Sequence, residues 1–240
     1  MSKLIIILGC NGKIGRKLTL KFLSKKYSVI GIDIDVKSIS KNNFYYIDNS
    51  KNSFFEQSAF MQIIKKYKLH SIIFAQRFNE KNSYKNNLLN FGDSKIIKIE
   101  IEFIQETINY LIKNNKIQNK TKILFFSSTN SETISNQSAW YHISKSGIEI
   151  FTKWLASRLL GKGIGVNCIR LGLIETNSTK GSTAEKIVFA SLLNGRPTQL
   201  KTIVDFAYFI IDQANSDMTG QIYELSNGYQ LKDPFHLLQK

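Results

Sequence analysis

Apolar residues in this chain fall into short runs separated by longer stretches of helical spacing. Residues 4–8 are apolar without a break and are bounded by Lys3 and Gly9, which is the length and context of a strand. Strand-sized runs recur at 29–34, 44–47, 71–75, 122–127, 165–169 and 221–225. Between them, apolar positions repeat at i, i+3 and i+4 over 13–26, 54–67, 95–114, 139–160, 184–193 and 202–214, the spacing of helices. Strands that are apolar along their whole length are buried on both faces, and intervening helices supply the crossovers that parallel pairing needs. The pattern predicts an α/β fold, a doubly wound parallel sheet with helices on both faces, in a single domain over 1–240. No internal repeat or shift of composition marks a boundary. Two polar stretches, 76–94 and 177–183, stand out, and the first is long for a connection in a compact domain.

Composition narrows the class. With 240 residues and 42% hydrophobic side chains, the chain can bury a full core and is no disordered segment. The longest apolar runs are too short to span a bilayer. Met1-Ser2-Lys3 followed by a short apolar run and Gly9 does not read as a secretory signal. Cys10 and Cys168 are too few for a disulfide framework, so a cytoplasmic setting is expected. Lys+Arg number 33 against 18 acids, a net +15 that would attract polyanions. The basic residues are scattered, however, and the accompanying excess of Asn and Ile is what A/T-rich codons produce. Neither nucleic acid nor membrane is therefore expected as a partner. His70, His142 and His236 lack metal-ligand spacing, and no metal is expected.

The first strand runs straight into Gly9-Cys10-Asn11-Gly12-Lys13-Ile14-Gly15 and then a helix. Glycine at the first position permits a tight turn, at the second a close backbone approach to a pyrophosphate, and at the third close packing of helix on strand. The helix N-terminus then presents free N–H groups and a positive dipole to the phosphates. Asp33 ends the second strand, where a carboxylate accepts hydrogen bonds from an adenosine ribose and repels a 2′-phosphate. Together these features predict a dinucleotide site, with NAD preferred over NADP.

Tyr141 and Lys145 are four apart in the second long helical stretch and so share a face. A phenol ordinarily has a pKa of about 10, too high for a base at neutral pH. An ammonium about 4 Å away favours the phenolate by up to about 4 kcal/mol at an effective dielectric near 20. The pair can then exchange a proton with an alcohol or a carbonyl. Ser128 lies at the carboxyl end of the 122–127 strand, the edge where parallel sheets bind ligands, and could polarise the same oxygen.

The glycine loop, Asp33, Ser128, Tyr141 and Lys145 together resemble the short-chain dehydrogenase/reductase family over nearly the whole chain, which implies its Rossmann fold. The stretch from Ile164 to Gly172 is similar to the family's strand before the nicotinamide, and Ser226-Asn227-Gly228 to its closing segment. The resemblance implies that Tyr141 is the acid/base, that Lys145 holds the nicotinamide ribose and assists Tyr141, and that Ser128 orients the substrate oxygen. It also implies cofactor contacts at Gly9, Asn11, Gly12, Ile14, Gly15, Asp33, Asp48, Ala75, Gln76, Gly172, Ile174 and Thr176. Glu100 stands where the family's proton-relay asparagine is expected. The chain departs from the pattern at Leu8, at Phe74-Ala75-Gln76 and at Leu171, in place of Thr, Asn-Ala-Gly and Pro. The Gly-x-x-Gly-x-x-Gly spacing is that of the family's sugar-nucleotide-modifying members. The polar residues Asn130, Ser131, Gln137, Asn177, Ser178 and Thr179, with Trp140, suit a sugar or polyol. The expected activity is NAD-dependent interconversion of an alcohol and a ketone on a polar sugar-like or nucleotide-sugar substrate. A 3-oxoacyl thioester reductase of the same family and a non-catalytic dinucleotide sensor or scaffold are the alternatives. Apolar residues on two faces of 95–114 (Ile97, Ile101, Ile104 and Ile108; Ile96, Ile99 and Phe103) and on two faces of 139–160 predict a homodimer or homotetramer.

Overall fold

The computed structural model describes residues 3–35, 39, 41–50, 53–78, 91–135, 137–174, 196–215 and 217–228. Seven parallel strands form one sheet in the order β3-β2-β1-β4-β5-β6-β7. They are β1 (Lys3–Leu8), β2 (Ser28–Asp33), β3 (Phe44–Asp48), β4 (Lys68–Phe74), β5 (Lys122–Ser128), β6 (Gly165–Leu171) and β7 (Ile222–Leu225). The helices are α1 (Lys13–Ser24), α2 (Ser58–Lys66), α3 (Lys95–Ile97), α4 (Phe103–Lys113), α5 (Ala139–Arg158) and α6 (Leu200–Tyr208). This is the predicted doubly wound Rossmann sheet. The predicted helix at 184–193 and the polar stretch at 177–183 lie outside the described residues, as does most of 76–94.

Alternation along β1 builds both layers at once. Leu4, Ile6 and Leu8 pack with Ile104 and Ile108 of α4 and Ile148 and Leu155 of α5. Ile5 and Ile7 point the other way, to Leu18 and Phe22 of α1 and Ile203 and Ala207 of α6. Each fully buried side chain of this size stabilises the fold by about 1.5–3 kcal/mol. Winding outward from β1 in both directions separates the loops after β1 and β4 and opens a crevice at their carboxyl ends. Among the described residues, no helix is long and apolar enough to cross a membrane.

The helix expected over 95–114 contains a feature that the periodicity hides. A π turn, Lys98–Glu102, joins α3 to α4. A π turn inserts one residue into the helical repeat and rotates the rest of the helix about its axis. Ile96, Glu100, Ile104 and Ile108 are all buried, while Ile97, Ile99, Ile101 and Phe103 of the two apolar faces read from the sequence are half-buried. Phe103 is half-buried, with its ring centroid 5.8 Å from that of Phe54. α5 does keep an apolar outer face, with Ile143, Ile150 and Trp154 exposed to 52%, 65% and 51%.

Candidate active site

The glycine loop turns over the end of β1 against the chain leaving β4. Gly9 has φ +79°, and a Cβ there would stand 2.5 Å from the Gln76 backbone nitrogen. A Cβ on Gly15 would stand 2.1 Å from the Gly9 carbonyl oxygen. Neither position admits a side chain, so the loop stays thin where helix α1 begins. Gly12 is the N-cap of α1, and no side chain caps it. The carboxylate of Asp33 accepts the Asn11 N–H at 2.8 Å on one oxygen. Its other oxygen accepts the N–H groups of Ile34 at 2.8 Å and Asp35 at 3.3 Å. Asp33 thus ties the β1 and β2 loops together and keeps lone pairs for a further donor. Asn11 donates its side-chain amide to the Asp35 carbonyl, while its Oδ1 is buried without a partner. Both polar atoms of the Gln76 amide are likewise buried and unpartnered. A side-chain-free turn, an uncapped helix N-terminus, an acid at the end of β2 and orphaned amide atoms fit the phosphates and ribose of a dinucleotide.

Asp48 sits opposite Asp33 in the β2–β3 register, and its carboxylate accepts the Ser50 N–H at 2.8 Å. Ala75 donates its N–H to the Leu8 carbonyl at 2.9 Å. Gly172 packs on Ser226, where a Cβ would stand 2.7 Å from the Ser226 Cα, and Ile174 bridges to Thr198. Thr176, Asn177, Ser178 and Thr179 lie outside the described residues.

Helix α5 starts on Ser138, whose Oγ accepts the Tyr141 N–H at 3.2 Å and fixes Tyr141 in the first turn. One turn on, Lys145 Nζ lies 5.3 Å from the centroid of the Tyr141 ring. Ser128 ends β5, and its Oγ accepts the Asn130 N–H at 3.3 Å, which leaves its own hydrogen to donate. The turn after Ser128 is strapped to α5. The Asn130 carbonyl meets His142 Nδ1 at 2.8 Å, and the Ser131 carbonyl accepts from Ser146 Oγ at 2.7 Å.

The π turn aims Glu100 into this site. Its Oε2 lies 2.5 Å from Lys145 Nζ and accepts Ser144 Oγ at 3.1 Å, and its Oε1 accepts the Phe78 N–H at 3.0 Å. The two charged side chains are 1% and 6% exposed, so the pair is shielded from water. Glu100 therefore binds the lysine directly, whereas Glu102 two residues on is exposed.

The family model described as Enoyl-(Acyl carrier protein) reductase, one of the short-chain dehydrogenase models, matches residues 68–230. The chain belongs to the short-chain dehydrogenase/reductase family. It is an oxidoreductase of the NAD(P)-dependent type. It is 24% identical over 233 residues to the 3-oxoacyl-(acyl-carrier-protein) reductase FabG of Buchnera aphidicola, covering 92% of this chain and 95% of that one. It is 30% identical over 158 residues to the uncharacterized oxidoreductase YmfI of Bacillus subtilis, covering 59% and 65%. A short-chain dehydrogenase from Leptospira borgpetersenii, solved with bound NAD+, superposes with a TM-score of 0.79 at 23% identity, covering 95% of this chain and 93% of that one.

A buried polar network, not anticipated from sequence, underlies the site of this short-chain dehydrogenase/reductase. Glu149 lies one turn beyond Lys145 on α5. Its Oε1 accepts Ser127 Oγ at 2.6 Å, Ser131 Oγ at 2.7 Å and Arg170 Nε at 2.9 Å, and its Oε2 accepts Arg170 Nη2 at 2.6 Å. Arg170 also reaches Glu132 and, at 3.4 Å, Glu224. Burial pushes the Glu149 carboxyl up, but the hydrogen bonds from Arg170, Ser127 and Ser131 outweigh it and hold the carboxyl below its ordinary value. Two residues flanking Ser128 are thus pinned to the helix that carries Tyr141. The signal was an arginine inside a strand read as buried, since a buried guanidinium needs a carboxylate. Cys10 and Cys168 serve packing: burial pushes both thiols up to about 12, which leaves them unreactive. Burial likewise pushes the His70 imidazole down to about 4. Among the described residues, no group of side chains could hold a metal ion.

Proposed function

We propose that this enzyme uses NAD(H) to interconvert an alcohol and a ketone on a small polar substrate, and that the whole chain acts as one cofactor-binding and catalytic unit. The observation that carries this reading is the Tyr141 ring held 5.3 Å from the Lys145 ammonium, on the helix strapped to the turn after Ser128. Gly9, Asn11, Gly12, Ile14 and Gly15 would hold the dinucleotide phosphates, Asp33 the adenosine ribose, and Gly172, Ile174 and Thr176 the nicotinamide end. Asp48, Ala75 and Gln76 would complete that contact set. A nicotinamide cofactor supplies or accepts the hydride. Tyr141 gives its phenolic proton to the carbonyl oxygen in reduction and takes it back in oxidation. Ser128 donates a hydrogen bond to the same oxygen and fixes its place. Lys145 places its ammonium 5.3 Å from the centre of the Tyr141 ring and would bind the ribose hydroxyls. Glu100, bonded to Lys145, receives or returns the proton that the lysine passes on, in the position of the relay asparagine.

A screen of sugar and polyol ketones with NADH, followed by nicotinamide absorbance, tests the reading. Absence of turnover with any carbonyl compound, although NADH binds, would favour a sensor or scaffold. A second reading, a 3-oxoacyl thioester reductase, draws support from the Buchnera relative's name and from Phe91 and Ile134, exposed to 62% and 88% on the loops after β4 and β5. Acetoacetyl-CoA in the same screen separates the two.

Cofactor choice follows from Asp33. Titration should give tighter binding of NADH than NADPH, by at least about tenfold, because a like-charged 2′-phosphate is repelled. Equal affinities would show that Asp33 serves only the loop.

The open face of α5 supports a homodimer or homotetramer. Exposed Ile143, Ile150 and Trp154 form an apolar stripe, and pairing identical stripes about a two-fold axis covers both. Light scattering at micromolar concentration should give a multiple of the chain mass, and Trp154→Asp should shift it toward one chain. A wild-type monomer would contradict this.

A further inference from the structure

Arg77 follows β4 at the sheet edge that carries the site, and it is exposed. Its guanidinium carbon lies 5.5 Å from the centroid of the Tyr141 ring, about as close as Lys145 Nζ at 5.3 Å. Two cations therefore flank the phenol, but they are not equivalent. Lys145 is matched by Glu100 at 2.5 Å and buried with it. Among the described residues, Arg77 has no carboxylate within ion-pair distance, so its guanidinium is matched there by the Tyr141 ring alone. A guanidinium presents a planar fork of donors that matches a carboxylate with two parallel hydrogen bonds. The neighbouring Gln76 amide, buried without a partner, offers a neutral donor and acceptor beside it.

We propose that Arg77 is a specificity-determining residue that receives a carboxylate of the substrate, so that this site takes a short oxo acid and the corresponding hydroxy acid. The inference rests on the reading of Tyr141 as the acid/base. Because the guanidinium and the phenol are near neighbours, the carboxylate lies only a few bonds from the reacting carbon.

Wild-type protein and Arg77→Met, each saturated with NADH, are assayed with pyruvate, acetoacetate and levulinate and with the methyl ester of each. For at least one pair the wild type should prefer the acid in kcat/KM, and Arg77→Met should lower that acid-over-ester ratio about ten- to hundredfold. Arg77→Lys, which keeps the charge but not the fork, should fall between. Calorimetric titration of the same acid onto the NADH-bound protein should show the same order of affinities. NADH affinity and the thermal midpoint report that the variants are folded. The proposal is overturned if the esters or acetoacetyl-CoA are better substrates than every acid. It is also overturned if Arg77→Met lowers acid and ester equally, which would make Arg77 a partner of the phenol alone, or if no acid binds or turns over. The oxidoreductase reading fails separately, when no carbonyl compound of the wider screen is reduced.

Discussion

Tyr141→Phe is expected to lower kcat by about a hundredfold to ten-thousandfold, the usual weight of a positioned acid/base, while cofactor affinity stays near wild type. The substitution deletes one oxygen from a half-buried ring at the start of α5. The ring's packing and the Ser138 cap remain, because the cap binds the backbone N–H of residue 141 and not its side chain. Among the described residues, no hydrogen bond joins that oxygen to the glycine loop or to Asp33. Lys145→Ala should behave differently. It removes a buried cation and strands Glu100, whose carboxylate would keep, among the described residues, Ser144 and Phe78 as donors. Turnover, cofactor affinity and thermal stability should all fall. Stopped-flow turnover beside cofactor titration separates the two patterns. Near-normal turnover by Tyr141→Phe would remove Tyr141 from the chemistry.

The largest stability effect is expected at Glu149. Glu149→Leu leaves Arg170 buried with its main partner gone, and breaking a buried pair on one side costs about 3–5 kcal/mol. In a domain of this size that is a fall in the thermal midpoint of about 10 °C or more. The double variant Glu149→Leu with Arg170→Met removes both charges and should recover much of the loss. Ser127 and Ser131 lose their acceptor as well, so Ser128 should be held less firmly and kcat should fall even where the variant is folded. Acid should reproduce the effect in the wild type. The Glu149 carboxyl titrates lower in the folded protein than in the unfolded chain, so its contribution is complete above the ordinary carboxylate value. It is lost as the pH falls through the folded value. Thermal melts across that range should show a smaller acid loss in the double variant. An unchanged midpoint in Glu149→Leu would mean that the network carries little of the stability.

Much of the fold was legible because the signals were local. Short, mostly apolar runs marked all seven strands, and their alternation with helical spacing indicated parallel pairing. The glycine loop and the Tyr141–Lys145 pair could be placed because each needs only neighbours along the chain and a known element on either side. The features that escaped the reading were set by tertiary structure. The π turn at Lys98–Glu102 has no signature in hydrophobic spacing, yet it turns Glu100 inward. Phe103 looked free for a partner subunit because the Phe54 and Phe55 rings that cover it come from a distant segment. Glu149 could have been suspected, as it shares the face of Tyr141 and Lys145 one turn further on. Its partner Arg170 comes from β6, and only the sheet brings the two together. Arg77 carried no motif at all. Its place beside Tyr141 depends on the end of β4 and the start of α5 meeting at the carboxyl edge of the sheet.

The position of the bound cofactor decides whether these residues form the active site, and a crystal structure of the protein with NADH shows it. The adenosine ribose is expected on Asp33, the pyrophosphate over Gly9 to Gly15, and the nicotinamide between Gly172 and the Tyr141–Lys145 pair. A dinucleotide bound elsewhere, or a nicotinamide out of reach of Tyr141, would contradict it.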